Sequence, residues 1–547
     1  MNRLAAHGAR LRQPQRERRA TARLAGERGA RPARLSALSR VPTAAIALLV
    51  ALGCRGDVVA AGQSAQGVRE PSVAGQFYPA DARTLNAILD AVLKDAMPPG
   101  REAPIAIVAP HAGYVYSAQI AADAWRQTAG QQYDTIVILA TNHTGAGFGR
   151  VGVLPGSGLR TPLGVAKLDQ ALSAALVKED PDCVADAAMH AGEHSLEVQV
   201  PFAQRLFPNA SLVAAVVASE DVGVVTRLGR TLGRLLAGRR ALVVASSDLS
   251  HYPSYRDAAA ADRRTLEAIA SLDPDRLRSV ASAAPRGVPN LATCACGSAP
   301  IMAAMAAARA LGATRGRVVS YANSGDLPVG EPDRVVGYGA VVFTAGEPGA
   351  DTGVMLPQPA AAQALPPTPA DKKLMLALAR ETIRRYLETG TMPLARGFSA
   401  ALDRPQGVFV TLRKRGELRG CIGQMQPDRP LRVLVGSMAL AAAFEDPRFD
   451  KVRAAELKEL DVEISVLTPF REVAGPQAVV VGRDGVLLQK DRRSAVFLPQ
   501  VATEEHWTRD QMLDNLCLKG GLPAGCWRSG AKLSTFQADV FKEGDFR

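Results

Sequence analysis

The chain has 547 residues, 47% of them apolar and 22% charged, the balance of an ordinary globular protein and not of a membrane transporter. Single cores stop growing at roughly 250 to 300 residues, so this length calls for two domains. The formal charge of +12 suggests nucleic acid only until it is located: residues 1–40 hold eleven Arg against Glu17 and Glu27, a sum of +9, which leaves 12 − 9 = +3 for the remainder. That is too little for a surface that binds a phosphate backbone.

Residues 1–68 read as a leader and tether. Val41 to Gly53 is an apolar run of thirteen residues, VPTAAIALLVALG, between Arg40 and Cys54. It is too short to cross a bilayer and has the length of a signal-peptide apolar region. Ala51-Leu52-Gly53-Cys54 resembles a bacterial lipobox, with Ala in place of the usual Leu. The expectation is a chain held at the cell envelope by lipid on Cys54, with a start near residue 36; the alternative is a cytoplasmic chain with a disordered tail.

From residue 69 to 345, short β-branched runs alternate with helical patterns. The runs are 105–110, 135–140, 211–217, 241–246 and 338–343, and the helical segments include 118–128, 222–237 and 256–270. Continuous apolar strands separated by helices predict a buried sheet flanked on its faces, an α/β domain. Residues 346–369 turn rich in Gly, Pro and Ala and lose periodicity, as linkers do. Beyond them, 370–547 predicts an α+β domain. Its expected elements are a helix over 373–388, two strands around a Lys-Arg-Gly turn in 407–423, a helix and strand in 449–470, a hairpin turning at Arg483-Asp484-Gly485, and a last strand over 494–502.

Five of the seven histidines lie between positions 111 and 251, and the run 105–110 leads into His111, 135–140 into His143, and 241–246 into Asp248 and His251. Ligands bind at the carboxyl ends of strands in open α/β sheets, where side chains from separate strands converge. Imidazole is the commonest transition-metal ligand, and a carboxylate either completes such a set or orients a ring. Cys294 and Cys296 precede an apolar helix near Pro300. A helix N-terminus favours thiolate, suiting a nucleophile or a soft ligand, while a small buried hydrophobe is the plainer role, above all for Cys294. His190-Ala-Gly-Glu-His194 matches a zinc-peptidase pattern in which Glu193 would activate water, although Gly192 weakens the helix that pattern needs. The seven cysteines, at 54, 183, 294, 296, 421, 517 and 526, form no evident paired framework and are read as individuals.

Pro110-His-Ala-Gly-Tyr114, Asn142-His-Thr-Gly145, Glu193-His-Ser-Leu-Glu197, Ser247-Asp-Leu-Ser-His251 and Cys296-Gly-Ser-Ala-Pro-Ile301 occur in this order. With them, residues 69–345 resemble Memo-like proteins, the B component of the AmmeMemoRadiSam system. The resemblance implies the fold of class III extradiol dioxygenases, a metal held by His111, His143 and Cys296, and a pocket lined by Asp248, His251 and His194. Those dioxygenases use two His and a Glu, so Cys296 puts ring cleavage in doubt and favours a redox metal, iron or copper, over zinc. Leu418-Arg-Gly-Cys-Ile-Gly423, Ala443-Phe-Glu-Asp-Pro-Arg-Phe449 and Glu463-Ile-Ser-Val-Leu467 resemble the AMMECR-type domain, the system's A component. A fusion of B and A implies a radical-SAM protein as partner.

The expected function is therefore a metal-dependent redox modification of an unidentified small-molecule or protein substrate. His251 or His194 would act as acid and base, Asp248 would assist, and Cys421 is the candidate nucleophile of the second domain, its thiolate favoured by Arg419. Equally open for residues 418–423 is a packed turn whose glycines serve the backbone. The rival functions are a non-catalytic metal- or peptide-binding scaffold and a zinc hydrolase built on His190, Glu193 and His194.

Overall fold

The computed structural model describes residues 67–283, 287–346 and 366–546. The leader, Cys54 and most of the linker lie outside them. A small sheet joins β1 (Val68–Arg69), β5 (Gly158–Thr161) and β6 (Gly164–Lys167). The main sheet of the first domain has eight strands: β2 (Ala106–Ala109), β3 (Thr135–Thr141), β4 (Val151–Val153), β7 (Cys183–Ala185), β8 (Ser211–Val217), β9 (Ala241–Ser246), β10 (Arg315–Asn323) and β11 (Gly337–Thr344). Their spatial order is β10-β11-β2-β9-β3-β8-β4-β7. Strands β2, β9, β3 and β8 are mutually parallel, and β11 and β4 flank them antiparallel.

Alternation along the strands explains why the runs are apolar throughout. Ile136 and Ile138 enter one core, with helices Ala82–Lys94 and Tyr114–Arg126. Val137 and Leu139 enter the other, with helices Val222–Leu236 and Ser298–Ala310. Both faces are covered, so no strand residue can be polar without a partner. A Cβ on Gly229 would lie 2.4 Å from Ala306 Cβ and one on Gly233 2.3 Å from Ala310 Cβ. These two glycines therefore let the helices Val222–Leu236 and Ser298–Ala310 approach closely. The expected α/β class and the three predicted helices are present, as Tyr114–Arg126, Val222–Leu236 and Tyr255–Ala270.

The second domain builds a four-stranded sheet from β12 (Val408–Lys414), β13 (Glu417–Gln424), β14 (Leu460–Leu467) and β19 (Ala538–Lys542), ordered β13-β12-β14-β19. Helices Pro369–Thr389 and Leu431–Phe444 pack on it through Met375, Ala379, Leu434 and Ala442. A second sheet, β15 (Arg471–Glu472), β16 (Gly485–Lys490), β17 (Arg493–Phe497) and β18 (Lys532–Phe536), packs against helix Arg509–Lys519.

Four expectations change here. The hairpin containing β16 turns at Asp491 and Arg492, both left-handed at φ 48° and 64°, because β16 pairs with β17. Arg483-Asp484-Gly485 is instead held by Asp484 accepting the Val480 amide. The run 494–502 is no final strand, since Pro499 opens helix Pro499–Glu504 and β18 and β19 follow. Ahead of β14, only a 3-10 turn, Ala454–Glu459, forms where a helix was expected. Finally, Cys517 and Cys526 are disulfide-bonded. Spacing hid the pair, because only the reversal after helix Arg509–Lys519, through Gly520 and Gly521, brings their Cα atoms to 5.8 Å.

Closing this short loop stabilises the domain by about 2 to 3 kcal/mol, chiefly by restricting the unfolded chain. Cys517→Ser, or reduction, should lower the unfolding free energy of the second domain, measured in urea, by that amount. Four thiols among Cys183, Cys294, Cys296, Cys421, Cys517 and Cys526 should alkylate in denaturant without reductant, and six after reduction.

Candidate metal centre

Parallel pairing places the site. Ala109 on β2 is the Cα partner of Ser246 on β9, so His111 and Asp248, each two residues further on, leave adjacent strands at the same edge. His143 leaves β3 on the other side of β9. Asp248 fixes the first of these exits: its Oδ1 accepts the His111 amide at 2.7 Å and the Ala112 amide at 3.2 Å. Burial raises its pKa to about 6 against those hydrogen bonds.

Hydrogen bonds also set the histidine tautomers. Ser246 Oγ gives its one proton to Ser195 O at 2.6 Å and accepts from Gln199 Nε2 at 3.0 Å. His111 Nδ1, 3.1 Å from the same oxygen, must then be the protonated nitrogen. Its Nε2 carries the free lone pair, 3.2 Å from Cys296 Sγ. His143 Nδ1 lies 2.9 Å from Glu193 Oε1, while the His143 amide donates to Oε2 at 2.6 Å. A carboxylate on Nδ1 leaves Nε2 as the donor atom, the arrangement that orients histidine ligands in metal sites. Burial opposes ionisation of Glu193, but hydrogen bonds from His143 and Ser195 outweigh it and hold the pKa at about 2.

Glu193 also caps helix His194–Glu197, accepting the Ser195 amide at 2.8 Å. His194 thereby faces the other two rings, 4.3 Å from His143 and 5.5 Å from His111 between centroids, with Phe77 4.7 Å away behind it. The ligand atoms of His111, His143 and His194 all fall within 4.8 Å of one another. Burial, followed by the neighbouring imidazoles, drives the His111 pKa well down and brings His194 to about 4, so both rings offer neutral nitrogen at pH 7. Below this cluster, Glu197 pairs with Arg69 at 3.0 Å and accepts from Ser72 N, Val73 N and Tyr78 Oη. Arg69 in turn donates to the His190 and Glu193 carbonyls.

His251 is held by backbone bridges to Thr293 and Val336. Its Nε2 is buried with no hydrogen-bond partner, and burial, followed by the neighbouring imidazole of His143, lowers its pKa to about 4. Cys296 is half-buried, and burial and then the charge of Asp248 push its thiol up. In the metal-free chain these outweigh the helix-terminus argument for a thiolate. Cys294 is fully buried with Ala261 and Leu291, the plainer of its two roles.

The structure does not assemble the zinc-hydrolase alternative. Gly192 is left-handed at φ 76° and splits the segment into a 3-10 turn, Ala188–His190, and the helix His194–Glu197. His190 faces away, bonded through Nε2 to Gly152 O at 2.8 Å, and Glu193 is committed to His143 and Ser195.

In the second domain, Cys421 lies on β13 opposite Thr411, whose Oγ1 is 3.3 Å from the sulfur. Arg419, expected to favour its thiolate, is instead paired with Glu456 at 3.1 Å. Arg448 bonds the Cys421 carbonyl and Asp446, and Asp446 accepts the Cys421 amide. Burial raises the Cys421 pKa. A Cβ on Gly420 would stand 2.1 Å from Ala442 O, and one on Gly423 2.2 Å from the Phe409 ring. Packing thus accounts for both glycines of the motif.

A sequence model of Memo-like proteins matches residues 69–342, and one of AMMECR1 matches residues 376–541. A MEMO1 family protein of Methanopyrus kandleri is 34% identical over 51% of this chain and 99% of its own length, and one of Aquifex aeolicus 36% identical over 50% and 99%. A second Methanopyrus kandleri protein is 40% identical over 31% of this chain and 87% of its own. Among solved structures, an uncharacterized protein of Pyrococcus horikoshii is 37% identical over 31% of this chain and 90% of that one, with a TM-score of 0.30.

Glu193→Ala should destabilise the first domain by about 2 to 4 kcal/mol, since the buried Ser195 amide and the part-buried His143 amide lose their acceptor. Glu193→Gln, which keeps one carbonyl oxygen, should cost less. Urea unfolding of the two variants against wild type checks the order.

Proposed function

From the premise that the chain belongs to the Memo-like family in its first domain and carries an AMMECR1 domain in its second, we propose that it is a metal-dependent redox protein. The observation that carries the reading is the convergence of His111, His143 and His194. Two of these imidazoles are fixed by outer hydrogen bonds in the tautomer that presents Nε2, and His194 is neutral, stacked on His143 and edge-on to His111. Such donors fit a transition ion, and with the Cys296 sulfur beside His111 we propose iron or copper for it. A redox ion there would supply one-electron chemistry to a bound substrate.

The chain's own residues supply the rest. Neutral His251, with its unpartnered Nε2, is placed to take a proton from a substrate hydroxyl or hold one near it. Asp248 keeps the His111 loop in place, and Glu193 keeps His143 and His194 together. The substrate is a small molecule or protein still to be identified, and Cys421 in the second domain is a positioned thiol and not an activated one.

Location and partner go together. A radical-SAM partner belongs in a reducing cytosol, whereas lipid on Cys54 belongs to the cell envelope. The Cys517–Cys526 disulfide favours the envelope, because such bonds persist in oxidising compartments. We therefore propose the envelope for the mature chain, with any radical-SAM step completed before export or absent.

Elemental analysis after anaerobic loading with iron or copper tests the metal. Wild type should retain close to one ion per chain, and His143→Ala and His194→Ala should each lose at least tenfold in affinity. No retained metal in wild type would move the assignment to a binding scaffold. Palmitate incorporation lost in Cys54→Ser is the expected sign of the envelope location, and cytosolic chain with no incorporation would reverse it.

A further inference from the structure

The second domain reaches the first at two patches. At one, buried Asp123 accepts the Met97 amide at 2.9 Å and pairs with Arg396, while Leu394 packs on the first domain's core. At the other, Arg429 donates to Gly330 O at 2.8 Å, and Gly436 lies against Pro328. Here Arg432, at the start of helix Leu431–Phe444, places Nη1 3.2 Å from Asp326 Oδ1 and Nε 2.7 Å from Asp403 Oδ1. Arg432 and Asp326 are both largely shielded, with side chains 15% and 6% exposed, so the pair is not a solvated surface bridge of negligible worth.

Asp326 does not end the connection. Its Oδ1 accepts from Tyr255 Oη at 2.6 Å and its Oδ2 accepts the Asn323 amide at 2.9 Å. Asn323 Nδ2 donates to Tyr321 Oη at 3.4 Å, and Tyr321 Oη donates to Asp262 Oδ2 at 2.9 Å. Asp262 holds Ser250 twice, accepting its amide at 2.8 Å and its hydroxyl at 2.9 Å. Ser250 immediately precedes His251, in the loop that also carries Asp248. A continuous polar chain therefore runs from the second domain's helix to the loop lining the histidine cluster. Networks of this kind specify one geometry while every member is satisfied and loosen when one partner is removed.

We propose that Arg432 is a positioning residue for the first domain's pocket, acting through Asp326, Tyr321 and Asp262 on the loop that holds His251. The second domain is then part of the frame of the site and not a tethered neighbour. The proposal rests on reading the histidine cluster as the functional site, but its test needs no metal.

The full chain has seven histidines, so labelling the imidazole Cε1 carbon gives a spectrum in which His251 can be assigned by His251→Gln. In the metal-free full chain, Arg432→Ala, Asp326→Asn and Tyr321→Phe should each shift the His251 resonance by more than its linewidth and leave exposed His506 in place. Arg432→Lys should restore most of the wild-type position, and Arg396→Ala, at the other patch, should leave His251 unmoved. His251 unchanged in Asp326→Asn and Tyr321→Phe overturns the proposal, as does an equal shift from Arg396→Ala. His251 unmoved in Arg432→Ala overturns it as well, and should that variant fail to fold, Arg432→Gln decides in its place. A wild type that takes up no metal but shows the expected shifts removes the metal reading and leaves this one standing.

Discussion

The Glu193 carboxylate is the constraint around which the pocket is organised. It is a buried charge with four donors near it, and it joins two pieces of chain fifty residues apart: the exit of β3 at His143 and the start of the helix at His194. Its cost of burial is offset only while those donors stay in place. Because one of them is a ring nitrogen, the same bond that stabilises the carboxylate also decides which nitrogen of His143 is free. Stability of the loop and orientation of the His143 ring are therefore one interaction. The Arg69–Glu197 pair beneath it does the same for the backbone, engaging the carbonyls of His190 and Glu193 from the N-terminal segment.

Much of this could be read from residues alone, and the reason is topological. Parallel strands bury both faces, so they appear as unbroken apolar runs, and the polar residue that ends each run marks the edge where ligands gather. His111, His143 and Asp248 were visible for that reason. His194 was harder to place because it follows no strand. Its position depends on Gly192 breaking a segment that, by spacing, resembled a single helix bearing two ligands. The Glu193 contacts and the proton assignment at Ser246 depend on side-chain geometry from three separate segments, and no local pattern carries that.

The second domain was less legible. Its edge strands β13 and β19 are partly exposed and its turns unusual: left-handed Asp491 and Arg492 close a hairpin that a Gly-containing triplet announces a few residues earlier. The cysteines mislead in the same way. Cys421 beside Arg419 looks like an activated thiol until Glu456 is found holding the arginine, and Cys517 and Cys526 look unrelated until a helix ends and the chain doubles back. In each case the sequence neighbour is not the spatial neighbour.

Arg69 also sets how far the N-terminal segment can reach. It enters the fold two residues after the described chain begins, and it is fastened beneath the histidine cluster and not at a remote corner of the domain. Between it and Cys54 lie 69 − 54 = 15 steps of chain, at most about 50 Å when fully drawn out. If Cys54 carries lipid, as proposed above, the leash is attached close to the pocket. The pocket would then patrol a thin shell above the bilayer, and the substrates it meets would be those that occur at, or are delivered to, that surface.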